Sequence, residues 1–358
     1  MNVSELLQPT DRGLYCPAGD FFVDPWRPVD RAVVTHAHAD HACRGCGRYL
    51  TSRAGENVLR ARSDKDAVIE TAEYGETVFI NGVNVSLHPA GHILGSSQVR
   101  IEKAGLIAVV SGDYKIEPDA TCGGFESVRC HVFVSESTFG LPIYRWPAQS
   151  EVFRTIGEWW KANQDQGKAS VLFAYALGKA QRLIAGLGTD LGPIYTHGAV
   201  ERMNQAYRAT GVKLPETTYA AAAGGTDWSK ALIVAPPSSQ GTPWLRRFGA
   251  ISTGFASGWM RIRGARRRRS VDRGFVLSDH VDWPGLLSAI DSTGAEQIWL
   301  THGYTSVVTR WLQDQGRDAR SITTRYEGER DDAPADAADE PSLSEPGTLF
   351  DGENEVAS

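Results

Sequence analysis

The chain has 358 residues and a mass of 39.0 kDa, more than one compact core usually absorbs, which predicts two packed units or one domain carrying an insertion. With 41% hydrophobic and 22% charged residues it has the material for a core, and wholesale disorder, collagen-like repetition and coiled coil are excluded. The formal charge of −6 is unevenly spread: residues 327–358 hold eleven acids against Arg330 alone, so that tail carries −10 and the rest of the chain +4, a balance that suits a polyanionic partner.

The amino-terminal MNVSELLQPTDRG lacks the basic and apolar regions of a signal peptide, and no apolar run approaches the roughly 18 residues of a membrane span. The expectation is a soluble, cytoplasmic protein that does not engage membranes. RAVVT (31–35) predicts a strand running into Thr35-His36-Ala37-His38-Ala39-Asp40-His41. In extended backbone the i, i+2 spacing points His36 and His38 the same way, while Asp40 and His41 turn toward a neighbouring position. Three imidazoles and a carboxylate so close together fit two metal ions better than one. Cys43 and Cys46 form a C-x-x-C pair with no second pair nearby, so they read, with Cys16, Cys122 and Cys130, as reduced thiols.

Further along, LIAVVSG (106–112) runs into Asp113 and HVFVS (131–135) into Glu136. A stretch with its own α/β rhythm follows, from helical EVFRTIGEWWKANQ through strand ASVLFAY to helical GKAQRLIAGL, and reads as a second domain inserted into the first. Lys179 and Arg182 near the start of its second helix are candidate phosphate contacts, a solvated helix face being the alternative. Arg261, Arg263 and the run Arg266, Arg267, Arg268, Arg269 come just before GFVLSD (274–279), which runs into His280, and are candidate contacts to a nucleic-acid backbone. IWLT (298–301) then delivers His302. Ligands gather at strand ends in α/β sheets, so these dispersed groups are expected to meet in one place. His88, His131 and His197 read as ordinary polar residues, Asp24 and Asp279 at most as hydrogen-bonding supports, and residues 327–358 as a disordered acidic tail.

The motifs resemble those of the metallo-β-lactamase superfamily and, within it, the β-CASP nucleases. Gly91-His92-Ile93-Leu94-Gly95 is similar to the third metal motif and Ser111-Gly112-Asp113 to the fourth. Glu136 in Ser135-Glu136-Ser137-Thr138, His280 in Leu277-Ser278-Asp279-His280 and His302 in Leu300-Thr301-His302-Gly303 resemble β-CASP motifs A, B and C. The wording is similar to bacterial proteins described as ligase-associated DNA exonucleases or mRNA 3′-end processing factor-like. This resemblance implies an αβ/βα sandwich with an inserted β-CASP-like α/β domain: residues 1–145 and 259–326 as the two parts of the first domain, and 146–258 as the insert.

It further implies one divalent ion held by His36, His38, His92 and Asp113, and a second by Asp40, His41, Asp113 and His302. Zinc is the first expectation and manganese the second. Asp40, His280 and Glu136 would serve catalysis, with His280 protonating the departing sugar oxygen and Glu136 orienting its ring. The implied activity is hydrolysis of nucleic-acid phosphodiesters, as a DNA exonuclease of repair with a DNA ligase or helicase as partner. The alternatives are an RNA-processing endo- or exoribonuclease, since histidine at motif C is the RNA-like choice, and a metal-dependent hydrolase of small molecules.

Overall fold

The computed structural model describes residues 2–264 and 269–323. A short helix, α1 (Val3–Leu6), precedes a six-stranded sheet ordered as the chain runs: β1 (Gln8–Thr10), β2 (Gly13–Cys16), β3 (Phe21–Val23), β4 (Arg31–Val33), β5 (Arg48–Ser52) and β6 (Ile69–Ala72). Helix α2 (Glu56–Arg62) crosses between β5 and the parallel β6. Four strands continue as an antiparallel meander, β7 (Thr77–Ile80), β8 (Val83–Pro89), β9 (Ser97–Lys103) and β10 (Leu106–Val110), and β11 (Val132–Ser137) adds in parallel to the last. The two sheets pack face to face through alternate residues, Leu14, Val23, Val33 and Leu50 from the first against Val85, Val99, Ile101, Val110 and Val134 from the second.

Between β11 and the strand that completes the second sheet lies a third, wholly parallel sheet. After α3 (Gln149–Asp165) come β12 (Ala169–Phe173), α4 (Lys179–Leu187), β13 (Ile194–Thr196), α5 (Gly198–Ala209), β14 (Thr218–Tyr219), β15 (Leu232–Ala235), β16 (Ile251–Ala256) and β17 (Arg273–Phe275), in the spatial order β14-β13-β15-β12-β16-β17. Every residue of β12 is buried, as a parallel strand covered on both faces requires. This sheet runs past the boundary expected at residue 258, because β17 pairs with β16 from Arg273 to Phe275. Three-residue β17 is fixed by that distant pairing, which leaves only residues 276–279 of the expected strand to lead toward the site.

The chain then returns with α6 (Trp283–Thr293), β18 (Gln297–Gly303), α7 (Thr305–Asp314) and β19 (Asp318–Ser321), and the second sheet reads β19-β18-β11-β10-β9-β8-β7. Helices α6 and α7 cover its outer face through Leu286, Ile290, Val308 and Leu312. Helices α2 and α5 cover the outer face of the first sheet through Val58, Leu59, Met203 and Tyr207. The result is a mixed α/β fold with three sheets, two of them stacked between helical layers. A register shift in the β11–β18 pair after Glu136 accommodates His302, whose φ is +56°. Among the described residues no helix is long and apolar enough to cross a membrane, and the expected acidic tail lies outside those residues.

Candidate metal centre and active site

Each expected metal residue leaves the end of an ordered element. His36, His38, Asp40 and His41 follow β4; His92 sits between β8 and β9; Asp113 follows β10; His302 is the penultimate residue of β18. Gly112 makes the approach of Asp113 possible: its φ is +57°, and a Cβ there would stand 2.5 Å from Thr35 Oγ1. Ligand atoms of His36, His38, His92 and Asp113 all lie within 4.8 Å of one another, as do those of His41, Asp113 and His302, and those of Asp113, Glu136 and His280. Asp113 is common to all three groups. Asp40 stands at the edge, its carboxylate 3.7 Å from His41 Nε2.

The surroundings decide where the ring protons sit. Asp24 Oδ2 accepts from the Thr35 hydroxyl at 2.6 Å and faces His41 Nδ1 at 2.7 Å, so His41 carries a proton on Nδ1 and turns Nε2 inward. Because the Thr35 hydrogen is committed to Asp24, its oxygen accepts from His36 Nδ1 at 3.1 Å. His92 Nδ1 donates to the Asp279 carbonyl at 2.9 Å and His38 Nε2 to the Leu177 carbonyl at 3.3 Å. The inward atoms are therefore His36 Nε2, His38 Nδ1 and His92 Nε2, and His38 Nδ1 lies 3.1 Å from each of the other two. Three lone pairs at that spacing, with no proton between them, beside a carboxylate at 3.6 to 3.8 Å, repel one another until a cation enters. The donor set thus fits a divalent ion, and the outward oxygens are the partners that orient metal-binding imidazoles.

Electrostatics agree with this polarity. Burial, reinforced by neighbouring imidazoles, holds His36 and His92 well below the ordinary histidine range, in the neutral form that ligates. Burial also lowers His38 and His302, and neither ring nitrogen of His302 has a hydrogen-bond partner among the described residues. Burial opposes a charge on His41 as well, but Asp113, Asp40 and Asp24 overcome it and hold its pKa well above the ordinary value. A metal ion would displace that proton. Asp113, despite burial, is kept well below the usual carboxylate range by His41 and His280.

Beside the cluster, Glu136 bonds His280 Nδ1 at 2.9 Å and is itself fixed by the Tyr114 amide at 2.9 Å. The His280 ring centre lies 4.7 Å from that of His92, the two rings tilted by 51°. Trp146, which sequence reasoning did not single out, donates from Nε1 to the His280 carbonyl at 2.9 Å. Asp24 and Asp279 hold the supporting places expected of them. Asp119, which pairs with Arg182, carries no local sequence signal at all.

The expected nucleic-acid contacts divide. Lys179 and Arg182 are corrected: their side chains are 0% and 2% exposed, closed within ion pairs to Asp279 and Asp119, and present no surface to a phosphate backbone. Arg261 and Arg263 are exposed, and Arg261 donates to the Ile143 carbonyl. Arg269 lies over the Phe255 ring at 4.6 Å. Arg266, Arg267 and Arg268 lie outside the described residues.

No family model matches the chain. Over 315 residues it is 28% identical to a probable DNA ligase of Opitutus terrae, covering 87% of this chain and 30% of that one. It is 25% identical over 216 residues to an RNase J-like protein of Methanocaldococcus jannaschii, 51% of this chain and 50% of that one. It is 24% identical over 214 residues to endoribonuclease YSH1 of Yarrowia lipolytica, 42% of this chain and 26% of that one. The chain spans half or less of the length of each of these relatives. A solved structure of a protein of unknown function from Enterococcus faecalis V583 shares the fold, with a TM-score of 0.55 at 10% identity over 82% of this chain and 79% of that one. Relatives of this kind fit the metallo-β-lactamase/β-CASP nuclease family, whose motifs are resembled by the segments that bring this chain's buried histidines and aspartate together.

Proposed function

We propose that the protein hydrolyses phosphodiester bonds in nucleic acid with two divalent ions, zinc first and manganese second, acting as a DNA exonuclease of repair in the cytoplasm. The observation that carries the reading is the set of inward lone pairs of His36, His38 and His92 around Asp113, which calls for a cation. One ion would be held by His36, His38, His92 and Asp113, the other by Asp40, His41, Asp113 and His302. When bound, such ions supply Lewis acidity toward the phosphoryl oxygens and an activated water.

The chain's own groups do the rest. Asp24 and the Asp279 carbonyl keep the ligating rings in the tautomer they need. Glu136 holds the His280 ring with a proton on Nδ1, so that a second proton on Nε2 can pass to the departing sugar oxygen. Residues 146–275, which include the third sheet, serve as the inserted substrate-binding unit. Arg261, Arg263, Arg269 and the run from 266 to 268 contribute grip on the backbone. The match to a probable DNA ligase supports DNA and a ligase as working partner. A second reading, RNA as the polymer, is favoured by His302 and by the relatives named endoribonuclease and RNase J-like.

Zinc- or manganese-loaded protein incubated with end-labelled single- and double-stranded DNA and matched RNA tests this. Shortening of DNA from one end is the expected result, and cleavage of RNA alone moves the assignment to the second reading. Hydrolysis of a lactam or thioester with neither polymer cut overturns both.

A further inference from the structure

We infer that Arg182 is a positioning residue, the buried guanidinium that locks the His92 loop and the Ser278–His280 loop together and so sets where two imidazoles of the site stand. The inference rests on the metal-dependent reading above and adds a role for the third-sheet unit within it.

Helix α4 begins hard against the metal motif. Gly178, with φ +88°, has no room for a side chain, since a Cβ would lie 2.2 Å from Ile93 Cγ2. One turn later the Arg182 fork reaches four groups on three different loops. Nη2 donates to the His92 carbonyl at 3.1 Å and Nη1 to the Ser278 carbonyl at 2.8 Å, while Nη1 stands in an ion pair 3.1 Å from Asp279 Oδ1 and Nε in another 2.6 Å from Asp119 Oδ2. Lys179 braces the other Asp279 oxygen at 3.3 Å. Asp279 in turn accepts the His92 Nδ1 proton on its own carbonyl and is followed directly by His280. Each end of the fork is thus one hydrogen bond or one peptide unit from a ring of the site. A planar guanidinium with five donors spans such a set, whereas an ammonium cannot satisfy two carbonyls and two carboxylates in different directions.

The test uses the full-length protein with Arg182→Lys and Arg182→Gln, reading zinc affinity by competition with a chromogenic chelator, kcat and KM on a short end-labelled DNA, and thermal unfolding. The expected result is a folded Arg182→Lys protein whose zinc affinity and kcat fall by about 10- to 100-fold, the range seen when supports of metal ligands are removed, with KM little changed. If Arg182→Gln does not fold, the lysine variant carries the test. A lower unfolding temperature with zinc affinity and kcat unchanged would make Arg182 a structural tie only. A raised KM with a shallower salt dependence would return it to nucleic-acid contact, and either outcome overturns the inference. Zinc affinity is read without substrate, so a wild-type protein that binds zinc but cuts nothing refutes the nuclease assignment and leaves this comparison intact. A wild type that neither binds nor cuts refutes both.

Discussion

Around Asp113, imidazole lone pairs and a carboxylate face one another at 3.1 to 3.8 Å; around Arg182, a few residues away, each buried cation meets a buried carboxylate at 2.6 to 3.3 Å. Both clusters are largely buried and polar, and local sequence marks both with charged or titratable side chains. They differ in balance. In the first, His36, His38 and His92 turn only lone pairs toward one another beside Asp113 and are complete only with an added cation, while the second is closed by its own counter-charges. A buried polar group costs free energy unless paired, so an unbalanced cluster held in place by an outer ring of oxygens marks a ligand site, and a balanced one marks a strut.

The sharpest way to break this comparison is His280→Ala, at the boundary between the clusters. Cleavage should slow by about 10²- to 10⁴-fold, the range of general acid assistance, with metal content intact. An activated aryl phosphodiester, whose leaving group needs no proton, should be hurt less; loss of metal along with activity would make His280 a ligand.

Asp119→Ala probes the strut. It leaves Arg182 Nε without its carboxylate in a site where both side chains are nearly inaccessible, and should lower unfolding free energy in urea by about 3–5 kcal/mol. A change under about 0.5 kcal/mol, as for a surface substitution, would mean that the network is not closed in solution.

How far the two clusters could be read from sequence follows from the range of the interactions that make them. His36, His38, Asp40 and His41 lie within one short loop after a strand, so their spacing reports their geometry directly. The strand ends that deliver Asp113, Glu136 and His302 are equally local, and their convergence follows from the way ligands collect at such ends. Lys179 and Arg182 sit at a helix start, where the same residues on a surface would favour phosphate. What turns them inward is Asp119 and Asp279, 63 and 97 positions from Arg182, and no local pattern records that pairing. The limit of the third sheet was hidden for the same reason, since β17 is defined by its partner β16.

The smallest effect expected is at the surface. Replacing the exposed Arg261 and Arg263 with alanine should leave folding and metal content alone and reduce the salt slope of binding to single-stranded nucleic acid by roughly 0.7 for each phosphate that is no longer neutralised. Titrations at several salt concentrations with metal-free protein read this, and an unchanged slope would assign both arginines to ordinary solvated surface.

The central claim, that the Asp113 cluster is an unbalanced site completed by metal, is tested most directly by elemental analysis of the purified protein beside Asp113→Ala. The account predicts about two zinc or manganese ions per wild-type chain, as a paired-metal phosphodiesterase site requires, and fewer than one in the variant, because Asp113 belongs to every group in the cluster. Wild-type protein that holds no metal after incubation with either ion would contradict it.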